Sequence, residues 1–185
     1  MIWDTIEILY VSFIALVIIG GIAAIMILAP KENIKRQDTG NSYRFLKKNG
    51  EIKLAGGKTS LFEGGKYFYV RKGPYEADGF ADGIKGADGK YYKGAALAMV
   101  YVPDSLAMTA AQYFCGMNDE GTNEIISETM SVALSDKLAE YTADTDEAAF
   151  KEAFRKHAEA KLMKLGIMIF AINSLKIAED SPAQQ

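Results

Sequence analysis

The chain has 185 residues, a formal net charge of -3 and 49% hydrophobic residues. This length allows one domain with an appendage rather than two large domains, and the abundance of apolar residues excludes a mainly disordered chain. The single cysteine, Cys115, excludes a disulfide scaffold and a zinc ribbon. The single histidine, His157, excludes most metal-centred and triad chemistry.

The chain begins with a long apolar run. Residues 8–29 contain no charged side chain over 22 positions. As a helix this run would be about 33 Å long, and the hydrocarbon core of a bilayer is about 30 Å thick. The residues before it carry Asp4 and Glu7 but no Lys or Arg, which favours an uncleaved anchor over a cleaved signal peptide. The sequence therefore predicts a single transmembrane helix within residues 1–30.

Basic side chains follow the apolar run. Residues 31–72 have a net charge of +7 and residues 73–185 a net charge of -8. Because positively charged flanks stay in the cytoplasm, we expect a single-pass protein of the cell membrane with its N-terminus outside and its main domain inside. Six side chains are predicted to contact anionic membrane lipids, the alternative being a solvated basic surface: Lys31, Lys35, Arg36, Arg44, Lys47 and Lys48.

Two features suggest contacts between copies of the chain. Gly20 and Ala24 lie one helical turn apart in the apolar run and could form a helix-packing face, although small residues are common in such helices. The opposite charges of the two halves also favour a head-to-tail contact between neighbouring copies. These are the two candidate surfaces that the sequence offers for a homo-oligomer.

Residues 31–86 are predicted to be a basic β region next to the membrane. Asn49-Gly50 suits a type I′ turn and indicates a hairpin. Residues 66–71 are aromatic and indicate a strand. Three Asp-Gly pairs between residues 73 and 89 indicate a loop, and residues 91–102 read as a long strand.

Residues 87–178 are predicted to be an α+β core, followed by a short polar tail at 179–185. Helices are expected at residues 103–114, at residues 124–141 with Thr122 as N-cap, and after a cap at Asp144. Gly166 is expected to end the last helix in the left-handed conformation, before a strand at residues 167–177. The predicted fold class is thus α+β, with one N-terminal transmembrane helix followed by a small, mainly antiparallel sheet packed with two to three helices.

The sequence contains no clear catalytic, nucleotide-binding or metal-binding motif. Gly57-Lys58-Thr59 lacks the earlier glycine of a phosphate loop, and the Asp-Gly pairs lack the order of an EF-hand. His157 is expected to be solvated or capped, and Cys115 to be a buried structural thiol. We therefore predict no catalytic residue, no cofactor, no metal and no nucleic-acid partner.

Several segments resemble the SPFH family, which includes stomatins, prohibitins and flotillins. The first is the Asp88-Gly89 turn, which is followed by the predicted strand at residues 91–101 and by Pro103-Asp104. The others are the predicted helical segments at residues 131–142 and 149–165, and Gly166-Ile167 before the last strand. The resemblance covers about half of the chain. It is to a short form, because only eight residues follow Ile177 where family members continue into a long coiled coil.

The resemblance implies a membrane-anchored scaffold that is not an enzyme. Such a scaffold self-associates, organises membrane lipids or proteins, and modulates membrane proteases or channels. Two alternatives stay open. One is a type IV pilin-like filament subunit, since Ile6-Glu7 and Ile18-Ile19-Gly20 look like part of a pilin stem. The other is a membrane-tethered adaptor that does not self-assemble.

Overall fold

A computed structural model describes residues 41–55 and 65–180, which form six strands, three helices and two short 3-10 turns. The strands are β1 (Ser42–Lys48), β2 (Glu51–Leu54), β3 (Lys66–Arg71), β4 (Tyr75–Lys85), β5 (Tyr91–Tyr101) and β6 (Met168–Glu179). The helices are α1 (Ala107–Phe114), α2 (Asp119–Leu138) and α3 (Glu147–Leu162). The 3-10 turns, Asp104–Leu106 and Met163–Leu165, precede α1 and follow α3.

The first sheet has the strand order β2-β1-β3 and is antiparallel. Its hairpin is the predicted one, because Asn49 and Gly50 have the positive φ angles of a type I′ turn, 51° and 86°. The strand predicted at residues 66–71 is confirmed as well. One face of the sheet buries Tyr43 and Phe45, and α1 packs against β2 and β3.

The second sheet has the order β4-β5-β6 and is also antiparallel. β4 includes Asp78-Gly79, so the prediction of a loop there is wrong. Ala77, Gly79 and Ala81 alternate with exposed residues and are buried on the face next to α2. A Cβ on Gly79 would lie only 3.2 Å from Met130 of α2. This glycine therefore allows a helix to approach the strand closely and does not form a turn.

Helices α2 and α3 cover one face of the second sheet. α2 packs against β4 and β5, and α3 packs against α2 and β6. Asn118 and Asp146 are the N-caps, and their side chains accept backbone N–H bonds of 2.9 and 2.8 Å. The predicted caps Thr122 and Asp144 are therefore wrong, and Thr122 is buried inside α2. The core here consists of fully buried apolar side chains: Ile126, Met130, Leu134, Leu138, Phe154 and Leu162.

Gly166 forms the junction between the last helical turn and β6. Its φ and ψ angles are 82° and 20°, so the predicted left-handed cap is confirmed. The N–H of Ile167 donates to the carbonyl of Leu162 at 3.0 Å, which satisfies one of the carbonyls at the end of α3. The chain can then turn sharply from α3 into β6.

The predicted fold class needs two corrections. The strands form two separate three-stranded sheets instead of one small sheet, because β3 pairs only with β1 while β4 pairs with β5.

The second correction concerns the predicted single-pass arrangement, with its transmembrane helix and its location in the cell membrane. Among residues 41–55 and 65–180, no helix is long and apolar enough to cross a membrane. The longest, α2, has 20 residues but carries six charged side chains. The run at residues 8–29, on which that prediction rested, lies outside the described residues.

Candidate interaction surface

The second sheet has one face covered by helices and one open face. The open face carries the following side chains: Glu76, Asp78, Phe80 and Asp82 from β4, Lys93, Ala95, Leu97, Met99 and Tyr101 from β5, and Phe170, Ala171, Ser174 and Lys176 from β6. None of these side chains is buried. Phe80 is 66% exposed and Phe170 is 74% exposed, which is unusual for phenylalanine in a folded domain.

The strand register sorts this open face into rows of different character. The row on β4 holds three carboxylates, those of Glu76, Asp78 and Asp82. The middle row, on β5, is apolar from Ala95 to Tyr101. The row on β6 combines Phe170 with the positive charge of Lys176. The open face is therefore acidic along the β4 edge, apolar in the centre from Ala95 to Tyr101, and basic at Lys93 and Lys176.

The edge of β4 is closed by α2. The backbone N–H groups of Asp78 and Phe80 point away from β5 and donate to the hydroxyls of Ser127 and Ser131, at 3.2 and 3.0 Å. These serines lie one helical turn apart, so one helix face satisfies two free donors of the strand. Covering an edge in this way prevents another chain from pairing with it. The open face, rather than the β4 edge, is thus the available surface of this strand.

A cleft of about 650 Å³ lies at one end of the open face, beside Phe170 and Tyr101. Its polar wall is formed by Tyr43, Lys72 and Asp104. The Tyr43 hydroxyl donates to the Asp104 carboxylate, and the Lys72 Nζ atom lies 4.6 Å from the centre of the Tyr43 ring. Burial, and next the hydrogen bond to Asp104, raise the pKa of Tyr43. The phenol therefore stays protonated and acts as a fixed donor, not as a base.

A second polar cluster joins α2 to α3, away from the open face. The His157 Nε2 atom lies 2.9 Å from the Asp136 carboxylate, and the Lys161 Nζ atom lies 3.0 Å from the same oxygen. The hydrogen bond from His157, followed by that from Lys161, lowers the pKa of Asp136. The single histidine is thus part of an ion-pair cluster between helices. Cys115, expected to be buried, is partly exposed beyond the end of α1.

The side chains predicted to be functional are not on the open face. Arg44, Lys47 and Lys48 lie on β1 of the first sheet, where the Arg44 guanidinium stands over the Tyr67 ring at 5.5 Å. Lys47 lies opposite Lys66 in the β1–β3 register. The other predicted side chains lie outside the described residues: Gly20, Ala24, Lys31, Lys35 and Arg36.

Sequence reasoning missed both Phe80 and Phe170. A signal for Phe80 was present, since residues 75–82 alternate between small or aromatic buried positions and exposed ones. Phe170 gives no such signal, because it lies between Ile169 and Ala171 at a register shift of β6 against β5. The extra residue there turns an apolar side chain towards the open face.

Within the ranges that the structure describes, no three His, Cys, Asp or Glu side chains are grouped as a metal site would require. No protein-family model matches this chain. No curated protein is similar enough to it to count as a relative. The resemblance to the SPFH family accordingly stays a prediction.

Proposed function

We propose that this chain acts by self-association, as a non-catalytic scaffold built from copies of itself. The observation that carries the proposal is the open face of the second sheet, with its exposed Phe80 and Phe170 side chains. A contiguous apolar surface rimmed by charged residues is typical of a protein contact site. Contact cores of this kind are also enriched in aromatic residues and methionine, which fits Tyr101 and Met99.

The polar clusters of the domain support a structural role. The Tyr43 phenol is held by Asp104 and by the carbonyl of Val102, at 3.2 Å in the second case. His157 is held by Asp136. In both clusters the side chains join neighbouring segments of the fold. Tyr43 and Asp104 line the cleft at one end of the open face, and Asp136 and His157 lie away from that face. The surface feature that remains to be explained is therefore the open face itself.

The proposal is tested by measuring the molar mass of the full chain by size exclusion with light scattering, in a mild detergent that keeps residues 8–29 in solution. We expect an assembly larger than one chain whose mass rises with protein concentration. Phe80→Ser and Phe170→Ser should each shift the assembly towards the monomer, because each removes an exposed aromatic side chain that contact would bury.

The matched control is Val132→Ser on α2. Val132 is 47% exposed but lies outside the open face, so its replacement should leave the assembly unchanged. Circular dichroism of all three variants shows whether the fold is intact. A wild-type chain that stays monomeric at every concentration contradicts self-association and favours an adaptor that binds a different protein.

A further inference from the structure

The open face has a charge pattern that distinguishes between ways of pairing two copies. Lys176 lies opposite Ala95 in the β5–β6 register, and Ala95 lies opposite Phe80 in the β4–β5 register. Lys176 and Phe80 therefore stand at the same level on the two outer strands. Asp78 lies two residues before Phe80, about 7 Å away along β4, and Asp82 lies two residues after it, at the register shift of β4 against β5.

When the strands of two stacked sheets run nearly parallel to one another, the two-fold axis that relates the sheets lies either across or along the strands. An axis across the strands would stack β4 on β4 and bring the carboxylates of Glu76, Asp78 and Asp82 towards their own copies, which is repulsive. An axis along the strands stacks β5 on β5 and β4 of each copy on β6 of the other. Lys176 then lies over the other copy's Phe80, between Asp78 and Asp82. Only this arrangement brings Lys176 over opposite charges, although it also places Lys93 of β5 near its own copy. Lys93 lies 3.6 Å from Asp180, which offsets part of that repulsion.

We propose that two copies of this chain pack through the open face of the second sheet, about a two-fold axis parallel to the strands, with Lys176 of each copy between Asp78 and Asp82 of the other. The apolar row of β5 forms the centre of this contact, and Leu97 lies close to the axis. The inference rests on the proposed self-association and names its surface and its geometry. A two-fold contact of this kind closes on itself, unlike the head-to-tail contact that the charges of the two chain halves suggest.

Lys176 is available for this role. Within residues 41–55 and 65–180 the side chain forms no ion pair or hydrogen bond, and it is exposed. Its neighbour on the same face, Lys93, is already 3.6 Å from Asp180. The Asp78 side chain is exposed too, and only the backbone of Asp78 is engaged by α2.

The size of the surface sets the strength of the expected contact. Three strands spaced about 4.8 Å apart and about nine residues long give a flat face of about 14 by 30 Å. Two such faces bury about 800 Å² in total, below the roughly 1,200 Å² at which stable complexes begin. The dimer should therefore be weak and concentration-dependent. In so weak a dimer, reversing the charge pairs should change the affinity measurably.

The test uses two full-length variants, Lys176→Glu and the double variant Asp78→Lys with Asp82→Lys. Each alone turns four cross-copy attractions into repulsions and should weaken the homodimer at least about tenfold. A mixture of the two should recover association, because both sets of contacts are again between opposite charges. Lys151→Glu on α3 is the control, since it makes the same charge change at an exposed position away from the open face.

The outcomes separate this inference from the proposed function. Loss of association in each variant, with recovery in the mixture, supports the two-fold geometry. Association that persists in both variants overturns the inference, yet leaves self-association standing through another surface. Loss without recovery in the mixture also overturns the geometry. A wild-type chain that is monomeric at all concentrations overturns both.

Discussion

Gly166 provides a quantitative test of how α1, α3 and β6 are joined. Its φ angle of 82° is unfavourable for any residue with a Cβ, by about 1–2 kcal/mol. A Cβ there would also lie 2.8 Å from the Cα atom and 2.9 Å from the Cβ atom of Ala110 in α1. Because these are atoms of a packed helix and not of a flexible side chain, relief requires a shift of α1, which costs about 1–3 kcal/mol more. We therefore expect Gly166→Ala to lower the free energy of unfolding by about 2–5 kcal/mol.

The matched control for this substitution is Gly116→Ala. Gly116 has nearly the same φ angle, 83°, but a Cβ there would meet nothing within 4 Å. It should therefore show only the conformational cost of about 1–2 kcal/mol. Urea unfolding followed by circular dichroism compares the two variants with the wild type. Equal midpoints for both variants would refute the close packing of Gly166 against α1.

Two further predictions concern polar contacts of α2. Ser131→Ala removes the acceptor of the Phe80 N–H, so it should lower the free energy of unfolding in urea by about 0.5–1.5 kcal/mol. Because the β4 edge is then less well covered, light scattering at high protein concentration should also rise. If neither quantity changes, α2 does not close the β4 edge. Asp136→Asn removes the partner of His157 and Lys161, whose hydrogen bonds lower the pKa of Asp136. A lowered folded-state pKa gives stability that is present above the ordinary pKa of the carboxyl and is lost as the pH falls through the folded value. The wild type should therefore be more stable than this variant at neutral pH, by less than about 1 kcal/mol because the group is exposed, and the difference should vanish in acid; a difference that is constant with pH would contradict the assignment.

Local signals in the sequence predicted the parts of the fold that depend on local geometry. Asn49-Gly50 and Gly166 both need positive φ angles, and their residue types indicate this directly. The Asp78-Gly79 pair led to the wrong prediction of a loop, since an Asp-Gly pair usually marks a turn. Here Gly79 serves a contact with Met130, 51 residues further along the chain, which no local pattern reports.

The candidate surface could not be predicted from the sequence, for a related reason. It exists only because β6 pairs with β5 and so brings Lys176, which is 81 residues after Ala95, level with Phe80. The division into two sheets likewise depends on which strands pair over long range. Strand patterns in the sequence show which residues share a face, but not which strands become neighbours.

The central claim is that copies of this chain meet through the open face of the second sheet, and cross-linking at Leu97 tests it most directly. In a Cys115→Ser background, the single cysteine of Leu97→Cys would lie near the proposed two-fold axis. A short bismaleimide should therefore give a covalent dimer of the full chain, and the same treatment of Val132→Cys on α2 should not. A chain that stays monomeric with Leu97→Cys, or that cross-links equally well with Val132→Cys, would contradict the claim.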